Sequence, residues 1–343
     1  MKGKTAWCLV LFLLLLLIPL IALGAKVPDK GNSPPTPSRV ESSQPPAPES
    51  QSKTETPPST KTAAVFKILD EPTGKVLTVD DKEFLYGAVA TEMSPESPVE
   101  ALKAQAVSAY TYYGRLRAQQ KEKPDAALKG ADFSADISGW KLYTTKEEMQ
   151  KRWGKNFDTY YKTLGQVADA VYGQTLKSDG QLICATYYAI SSGNTEAAKD
   201  IWGGDYSYLV PVASPGDVYA SGYNTTVTLA PQQVQQASQK QWGISLNGDP
   251  TKWFGKAERT SSGSVITQAL GGKTVKGGEV RTAFGLRSAN YTVTYAKEKF
   301  TFTVKGYGHG VGMSQAGAEY MAEHGSNYQQ ILAWYYPGAT LVK

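Results

Sequence analysis

The sequence contains few of the residues that bind metals or form cross-links. Its 343 residues include two cysteines, Cys8 and Cys184, and two histidines, His309 and His324. Cys8 lies in the first apolar run, so the folded part has one thiol and no internal disulfide is expected. A metal site built from His and Cys is not expected either, and the sequence implies no cofactor. We interpret Cys184, which has apolar neighbours, as a packed core residue rather than a nucleophile.

The charged residues show no strong excess of one sign. The chain has 36 Lys and Arg against 31 Asp and Glu, and residues 1–63 hold seven of the basic and four of the acidic ones. The remaining 29 and 27 nearly cancel, so the chain lacks the concentrated basic surface of a nucleic-acid-binding protein. With 41% hydrophobic residues, it can form one large domain or two ordinary ones.

One long apolar run stands near the N-terminus, from Ala6 to Leu23, and Lys2 and Lys4 precede it. Eighteen residues at helical rise nearly span a bilayer, which predicts a membrane anchor in residues 1–25 with the rest of the chain outside the cell membrane. Removal of the segment stays open, because Ala-Leu-Gly-Ala at 22–25 also fits a cleavage site. Residues 26–63 are rich in Pro, Ser and Thr, which predicts an extended linker.

Helix-like and strand-like patterns are mixed in residues 64–343, and no internal repeat is found. This mixture predicts an α+β fold in a single domain. Ser97, Pro98 and Glu100 suggest a capping box at the start of the second helix. The predicted elements are a strand near 64–69 and a turn at 72–74, helices at 82–93, 97–119, 157–171, 232–239 and 314–324, a hairpin around Asp179-Gly180, and strands at 291–295 and 300–304.

Glu92 is the first residue that could carry chemistry. It follows Leu85 by seven residues, close to two helical turns, so its side chain should lie at the edge of an apolar stripe. The adjacent Ser94-Pro95 corner would remove part of its water. Loss of water raises the pKa of a carboxyl group, which would let Glu92 donate a proton to a glycosidic oxygen.

The segment Gly306 to Gln315 contains four alternating glycines around His309. Bare backbone permits unusual dihedral angles and close approach of a ligand, and the imidazole could exchange hydrogen bonds with it. A dinucleotide-binding loop is rejected, because only 31 residues follow Gly312. A Ser-His-Asp triad through His309 stays open on composition, but the pattern Gly-x-Ser-x-Gly is absent. His324 is interpreted as a cation at a helix C-terminus.

A third segment, Tyr187 to Glu196, places aromatic residues before small hydroxyl residues, and Trp202 follows. Tyr188 and its neighbours could form a wall on which a sugar stacks and hydrogen-bonds. An ordinary strand and loop would give the same pattern.

Together these segments closely resemble the stage II sporulation protein D family, over roughly residues 64–343 and in the same order. The matching motifs are Glu92 to Pro95 followed by Ala101 to Val107, Ser191 to Glu196, Leu286 to Ser288, and Gly308 to Gln315.

Members of that family are peptidoglycan lytic transglycosylases that act during engulfment of the developing spore. The resemblance implies that Glu92 protonates the oxygen between N-acetylmuramic acid and N-acetylglucosamine. It then takes a proton from the muramic hydroxymethyl group, which closes an anhydro ring without water. One carboxylate suffices, unlike the two of ordinary glycosidases.

The resemblance also implies a cleft for peptidoglycan glycan strands, and other wall hydrolases or sporulation proteins as partners. Its expected residues are Lys103, Gln105, Ser191, Ser192, Thr195, Arg287, His309, Ser314 and Gln315.

Two departures from the family pattern keep alternatives open. Tyr110 stands where an arginine of the cleft is common, which favours a non-catalytic wall-binding protein that enhances another hydrolase. Some members bind zinc through His and Cys in the stretch matching Asp132 to Tyr143, but that stretch has neither here. A metal-dependent amidase is a third, weaker alternative.

Overall fold

The computed structural model describes residues 64–343, which form a mixed α+β fold, as the sequence predicts. Helices and strands alternate irregularly along the chain. The helices are α1 (Asp81–Glu92), α2 (Val99–Glu122), α3 (Lys146–Trp153), α4 (Phe157–Val171), α5 (Ala198–Trp202), α6 (Pro231–Trp242), α7 (Gly277–Ala283), α8 (Gln315–Glu323) and α9 (Tyr328–Tyr335). The strands are β1 (Val65–Asp70), β2 (Val76–Asp80), β3 (Phe133–Ala135), β4 (Thr175–Ser178), β5 (Gln181–Leu182), β6 (Tyr187–Tyr188), β7 (Asn224–Leu229), β8 (Phe254–Arg259), β9 (Val265–Leu270), β10 (Lys273–Lys276), β11 (Tyr291–Ala296), β12 (Lys299–Lys305), β13 (Met313–Ser314) and β14 (Thr340–Val342).

The first core forms where α1 and α2 pack beside a small sheet with strand order β2-β1-β3. Asp80 starts α1, since its carboxylate accepts the backbone N–H groups of Lys82 and Glu83 at 2.9 and 3.2 Å. Phe84 stacks on Tyr143 with ring centroids 5.5 Å apart. This packing fixes the axis of α1, at whose C-terminal end Glu92 lies.

Two short strand pairs bring the C-terminal part of the chain onto this core. β13 pairs in parallel with β6, and β14 pairs antiparallel with β4. Residues more than one hundred positions apart in sequence therefore become neighbours beside α2, and α8 starts directly after β13.

A second core, which the single-domain prediction did not foresee, lies within residues 224–304. Two three-stranded sheets, β11-β12-β7 and β10-β9-β8, enclose it with α6 and α7. Phe300 and Phe302 of β12 are both buried there. Sequence periodicity detects such strands one by one but does not say which side chains share a core.

Most of the predicted elements are confirmed, including the helix Phe157–Val171 and the hairpin of β4 and β5. The capping box at Ser97 is wrong. Pro98 occupies the N-cap without a side-chain hydrogen bond, and Ser97 Oγ instead donates to Glu319 Oε1 at 2.5 Å. The Ser97 hydroxyl thus forms a hydrogen bond with α8 instead of capping its own helix.

The predicted anchor at 1–25 and linker at 26–63 lie outside the described residues. Within 64–343, none of the helices combines the length and apolar character needed to cross a bilayer.

Candidate active site

Glu92 is the last residue of α1 and is partly buried. Loss of water raises its pKa to about 7, and a hydrogen bond from Gln315 opposes this shift. Its position at the negative end of the helix dipole also disfavours the charged form. A neutral Glu92 at neutral pH can act as a proton donor.

Two glutamines lie beside the Glu92 carboxylate. Gln315 Nε2 donates to Glu92 Oε2 at 3.3 Å and lies 3.4 Å from Gln105 Oε1. Gln105 is fully buried, and its Nε2 has no hydrogen-bond partner among residues 64–343. Two of the expected cleft residues, Gln105 and Gln315, are thus brought together with Glu92.

Two buried tyrosines form another wall of this site. The hydroxyls of Tyr113 and Tyr187 are hydrogen-bonded to each other, and Tyr113 Oη donates to Leu142 O at 3.2 Å. Burial raises the pKa of both phenols, and the nearby Glu92 carboxylate raises them further. Both tyrosines therefore stay neutral, and Glu92 is the titratable group of this wall that can move a proton near pH 7.

Among residues 64–343, the pKa of Glu92 is shifted by burial and by the Gln315 hydrogen bond, and no acidic side chain contributes to the shift. The raised pKa therefore does not come from a neighbouring carboxylate, as it does where two carboxyl groups share a site.

His309 lies on the glycine-rich loop with both ring nitrogens engaged by the backbone. Nδ1 accepts from Val311 N at 3.1 Å, so Nε2 carries the proton and donates to Tyr187 O at 3.1 Å. Burial, together with the Arg281 charge, lowers the pKa of His309 to about 3. The imidazole stays neutral and holds Tyr187 in place, so it does not serve as the base of a serine triad.

The four alternating glycines of this loop all have positive φ, between 76° and 121°. These glycines allow the loop to pack closely against another segment of the protein, rather than against a ligand as expected from the sequence. A Cβ on Gly312 would lie 2.0 Å from Thr186 O, and one on Gly310 would lie 2.7 Å from Glu196 Cγ. Glycine is needed at both positions because loop 306–312 packs directly against residues 186–196.

Three of the expected cleft residues, Ser191, Thr195 and Ser314, are buried and form hydrogen bonds within the protein. Asp217 accepts hydrogen bonds from Ser191 N at 2.6 Å and from the hydroxyls of Ser214 and Ser314. Thr195 Oγ1 donates to Val210 O at 3.2 Å. Ser191, Thr195 and Ser314 therefore hold the wall of the site, and their contact with substrate stays a prediction.

The other expected residues, Ser192, Arg287, Tyr188 and Lys103, do not contact Glu92 in any described hydrogen bond or ion pair within residues 64–343. Ser192 is partly buried, and Arg287 stacks its guanidinium 4.1 Å from the Tyr307 ring centroid. Tyr188 is buried beside His309, with ring centroids 5.4 Å apart. Lys103 pairs with Glu100 at 2.6 Å, so its substrate contact also stays a prediction.

Tyr110 lies at the opposite end of α1 from Glu92. Its hydroxyl donates to Asp81 Oδ2 at 2.8 Å, and Arg117 Nη1 pairs with Asp81 Oδ1 at 2.7 Å. Eleven residues of helix place Asp81 about 16 Å from Glu92. The side chain at position 110 therefore belongs to the base of α1 and does not border the Glu92 carboxylate.

Sequence reasoning gave no role to three residues of this region, Tyr113, Asp217 and Arg281, whereas Tyr187 lay in the segment interpreted as a possible sugar-binding wall. Tyr113 looks like any apolar residue of a helix stripe, and Asp217 follows Pro215-Gly216 as in many surface turns. No local signal distinguishes them, because their importance comes from partners distant in sequence.

A family model and two relatives all relate this chain to stage II sporulation protein D. A family model described as SpoIID, stage II sporulation protein, matches residues 70–177. Stage II sporulation protein D of Bacillus subtilis (strain 168) is 34% identical over 263 residues, covering 76% of this chain and 74% of that protein. The protein of the same name from Bacillus amyloliquefaciens is 35% identical over 261 residues, with coverages of 76% and 73%.

A second kind of relative is the amidase enhancer of Bacillus subtilis (strain 168). It is 28% identical over 309 residues, which cover 75% of this chain but only 40% of that longer protein. The motif-based resemblance is confirmed by the identity and coverage of the first two relatives, and the chain belongs to the stage II sporulation protein D family.

Proposed function

We propose that this protein is a peptidoglycan lytic transglycosylase with Glu92 as its single acid/base residue. The observation that carries the proposal is one partly buried carboxyl group whose pKa burial raises to about 7, with no acidic side chain of residues 64–343 contributing to that shift. Such a group can give up a proton near neutral pH and recover one from the substrate.

In the proposed reaction, neutral Glu92 donates its proton to the oxygen that joins muramic acid C1 to the next sugar. The C1–O bond breaks, and N-acetylglucosamine leaves with a free hydroxyl. The Glu92 carboxylate then removes the proton of the muramic C6 hydroxyl, whose oxygen bonds to C1. Glu92 is protonated again, and the product ends in a 1,6-anhydro ring with no water consumed.

The glutamine pair supports this cycle. The Gln315 amide N–H is the group that stabilises Glu92 when it becomes charged, since its hydrogen bond lowers the pKa of the acid. The neutral His309 and the paired tyrosines shape the cleft without competing for the proton.

The names of the relatives support a role in sporulation. We further propose that an anchor in residues 1–25 holds the catalytic part outside the cell membrane, where the glycan strands of the wall lie. Other wall hydrolases are the expected partners.

The deciding experiment is digestion of purified glycan strands followed by mass analysis of the products. The wild-type protein should release anhydromuramic ends, and Glu92→Gln should release none. Persistence of these ends in Glu92→Gln would remove Glu92 from the mechanism.

A second candidate is a non-catalytic wall-binding enhancer, which the similarity to the amidase enhancer favours. The Tyr110 departure no longer supports it, because position 110 does not border Glu92. Strand pull-down that retains the wild-type protein without any cleavage products would favour this candidate.

A further inference from the structure

Arg281 of α7 is a buried cation without an anionic partner. Only 5% of the residue is exposed. None of the ion pairs within residues 64–343 includes it, and its Nε has no hydrogen-bond partner there. Arginine is seldom buried unless it is paired, because water no longer stabilises its charge. Retention of this charge points to a partner that binds from outside the chain.

The guanidinium lies beside the glycine-rich loop. The Arg281 charge lowers the pKa of His309, and the Tyr307 phenol raises the pKa of Arg281 against the effect of burial. Both neighbours belong to loop 306–312, so the Arg281 side chain of α7 faces this loop.

Two further buried polar atoms around this loop lack hydrogen-bond partners in the described chain. They are Trp202 Nε1 and Glu196 Oε2. The Trp202 ring lies 5.0 Å from the His309 ring, centroid to centroid, and Glu196 packs against Gly310. Tyr188 also lies beside His309, but its hydroxyl is engaged by Ser191. Unsatisfied buried polar groups are rare in native proteins, and with Arg281 Nε there are three around this loop, which suggests a ligand.

The group offers two kinds of donor, namely the Arg281 guanidinium and the Trp202 indole N–H, and one acceptor in Glu196. Such a set complements a carboxylate with a neighbouring hydroxyl or amide N–H. We infer that Arg281, with Trp202, forms a carboxylate-binding subsite for the wall polymer. The inference rests on the proposed function for the identity of that polymer.

The subsite is connected to Glu92 through two residues, His309 and Tyr187. Tyr187 O accepts the His309 Nε2 proton at 3.1 Å, while the Tyr187 phenol lies close enough to Glu92 for the carboxylate to raise its pKa. A carboxylate held by Arg281 therefore belongs to the part of the strand next to the cleaved bond. Two sources offer one: the lactyl group of a peptide-free muramic acid and the peptide attached to that group.

Binding should be measured in the full chain with Glu92→Gln, so that strands stay intact. The ligands are peptide-free strands, the same strands with the lactyl carboxylate converted to a methylamide, peptide-bearing strands, and oligomers of N-acetylglucosamine. Arg281→Gln should weaken binding of carboxylate-bearing strands about tenfold or more and leave the methylamide strands and the oligomers unaffected. The peptide-free and peptide-bearing arms identify which carboxylate is bound.

Arg152→Gln is the matched control, because Arg152 is exposed and stacks on Trp140 with its guanidinium 4.2 Å from the ring centroid. An equal loss of binding for methylamide and carboxylate strands, or no loss for any strand, would overturn the subsite. Binding by Glu92→Gln without cleavage by the wild type would refute the proposed reaction, yet the Arg281 comparison would still be readable.

Thermal unfolding of Arg281→Met separates ligand binding from a structural role. If Arg281 serves to bind a ligand, Arg281→Met removes an unpaired buried charge. Its Tm should then be equal to or higher than that of the wild type, while its affinity for carboxylate-bearing strands falls. A clearly lower Tm would show that Arg281 supports the fold itself, and the subsite would be rejected.

Discussion

Two effects shift the pKa of Glu92 in opposite directions. The side chain is partly buried at the end of α1, which favours the neutral acid, and it accepts a hydrogen bond from Gln315, which favours the carboxylate. The balance places its pKa at about 7. Small changes around this one side chain should therefore be visible in the dependence of activity on pH.

The first prediction concerns the pH profile of kcat/KM. The free enzyme must hold Glu92 protonated, so the rate should be constant at lower pH and fall about tenfold per pH unit above about 7. Initial rates on glycan strands from pH 4 to 9 would test this. A profile that is flat between pH 4 and 8, or that already falls at pH 5, contradicts the buried-acid mechanism.

The second prediction concerns stability. Between the ordinary pKa of 4.5 and the folded value of about 7, the folded protein binds a proton that the unfolded chain has lost. Stability therefore decreases as pH rises through this window, by about 1–3 kcal/mol once partial exposure is considered. Glu92→Gln should unfold at higher denaturant concentration than wild type at pH 8 and at the same concentration at pH 4. Identical curves at pH 8 would show that ionised Glu92 is well solvated.

The third prediction concerns Gln315→Leu. Loss of the amide donor removes the interaction that lowers the pKa of Glu92, so the alkaline limit of the rate should move to higher pH while kcat falls. Gln329→Leu is the control, since Gln329 is an exposed residue of the neighbouring helix α9. A lower kcat with an unchanged alkaline limit would separate Gln315 from the titration of Glu92.

At the scale of elements, the site depends on how closely loop 306–312 packs against residues 186–196. Ile190 and Tyr307 exchange backbone hydrogen bonds at 2.9 and 2.7 Å, and Glu196 N donates to Gly310 O at 2.7 Å. These bonds require the positive φ of the glycines. The loop is therefore fixed by its own backbone and presents Gln315 at a set distance from Glu92.

Gly312→Ala tests this packing. The new Cβ would meet Thr186 O at 2.0 Å in addition to the strain of φ = 84°, so we expect a loss of about 3 kcal/mol or more in unfolding free energy. Gly325→Ala is matched in φ, at 89°, but its Cβ would meet nothing within 4 Å, so it should cost only about 1–2 kcal/mol. Equal losses in the two variants, measured by chemical denaturation, would show that strain alone matters.

Elements with strong local signals were predictable from the sequence, and the contacts between them were not. The Asp179-Gly180 turn and the helix Phe157–Val171 follow from local rules and are confirmed. Ser97 obeyed the same rules, yet its hydroxyl bonds Glu319, 222 residues away. The motif around Glu92 identified the candidate acid from the sequence. The burial of Arg281 without a hydrogen-bond partner for its Nε results from tertiary packing, which no local sequence pattern predicts.

At the scale of the whole molecule, residues 64–343 contain two hydrophobic cores with different tasks. The first core holds α1 and α2 and so fixes Glu92, and the second core supplies Arg281 from α7. Ser262 Oγ donates to Thr195 O at 2.8 Å, which joins the second core to the wall of the site. A substrate strand bound by Glu92 and Arg281 would therefore contact residues that are positioned by two different hydrophobic cores.

The predicted anchor gives a test at the same scale. The full chain should sediment with membranes after cell fractionation, whereas a chain without residues 1–25 should not. The mass of the membrane-bound protein shows whether the apolar run is retained. Recovery of the full chain from the soluble fraction alone would contradict the anchor.

The hydrogen bond between Glu92 and Gln315 joins side chains 223 positions apart. A ribosome adds about 5–20 residues each second, so roughly 10–45 s pass between synthesis of the two. Throughout that delay the nascent polypeptide has its glutamate without the amide that hydrogen-bonds it. A chain that ends before residue 315 would therefore lack the group that stabilises the Glu92 carboxylate in the reaction we propose.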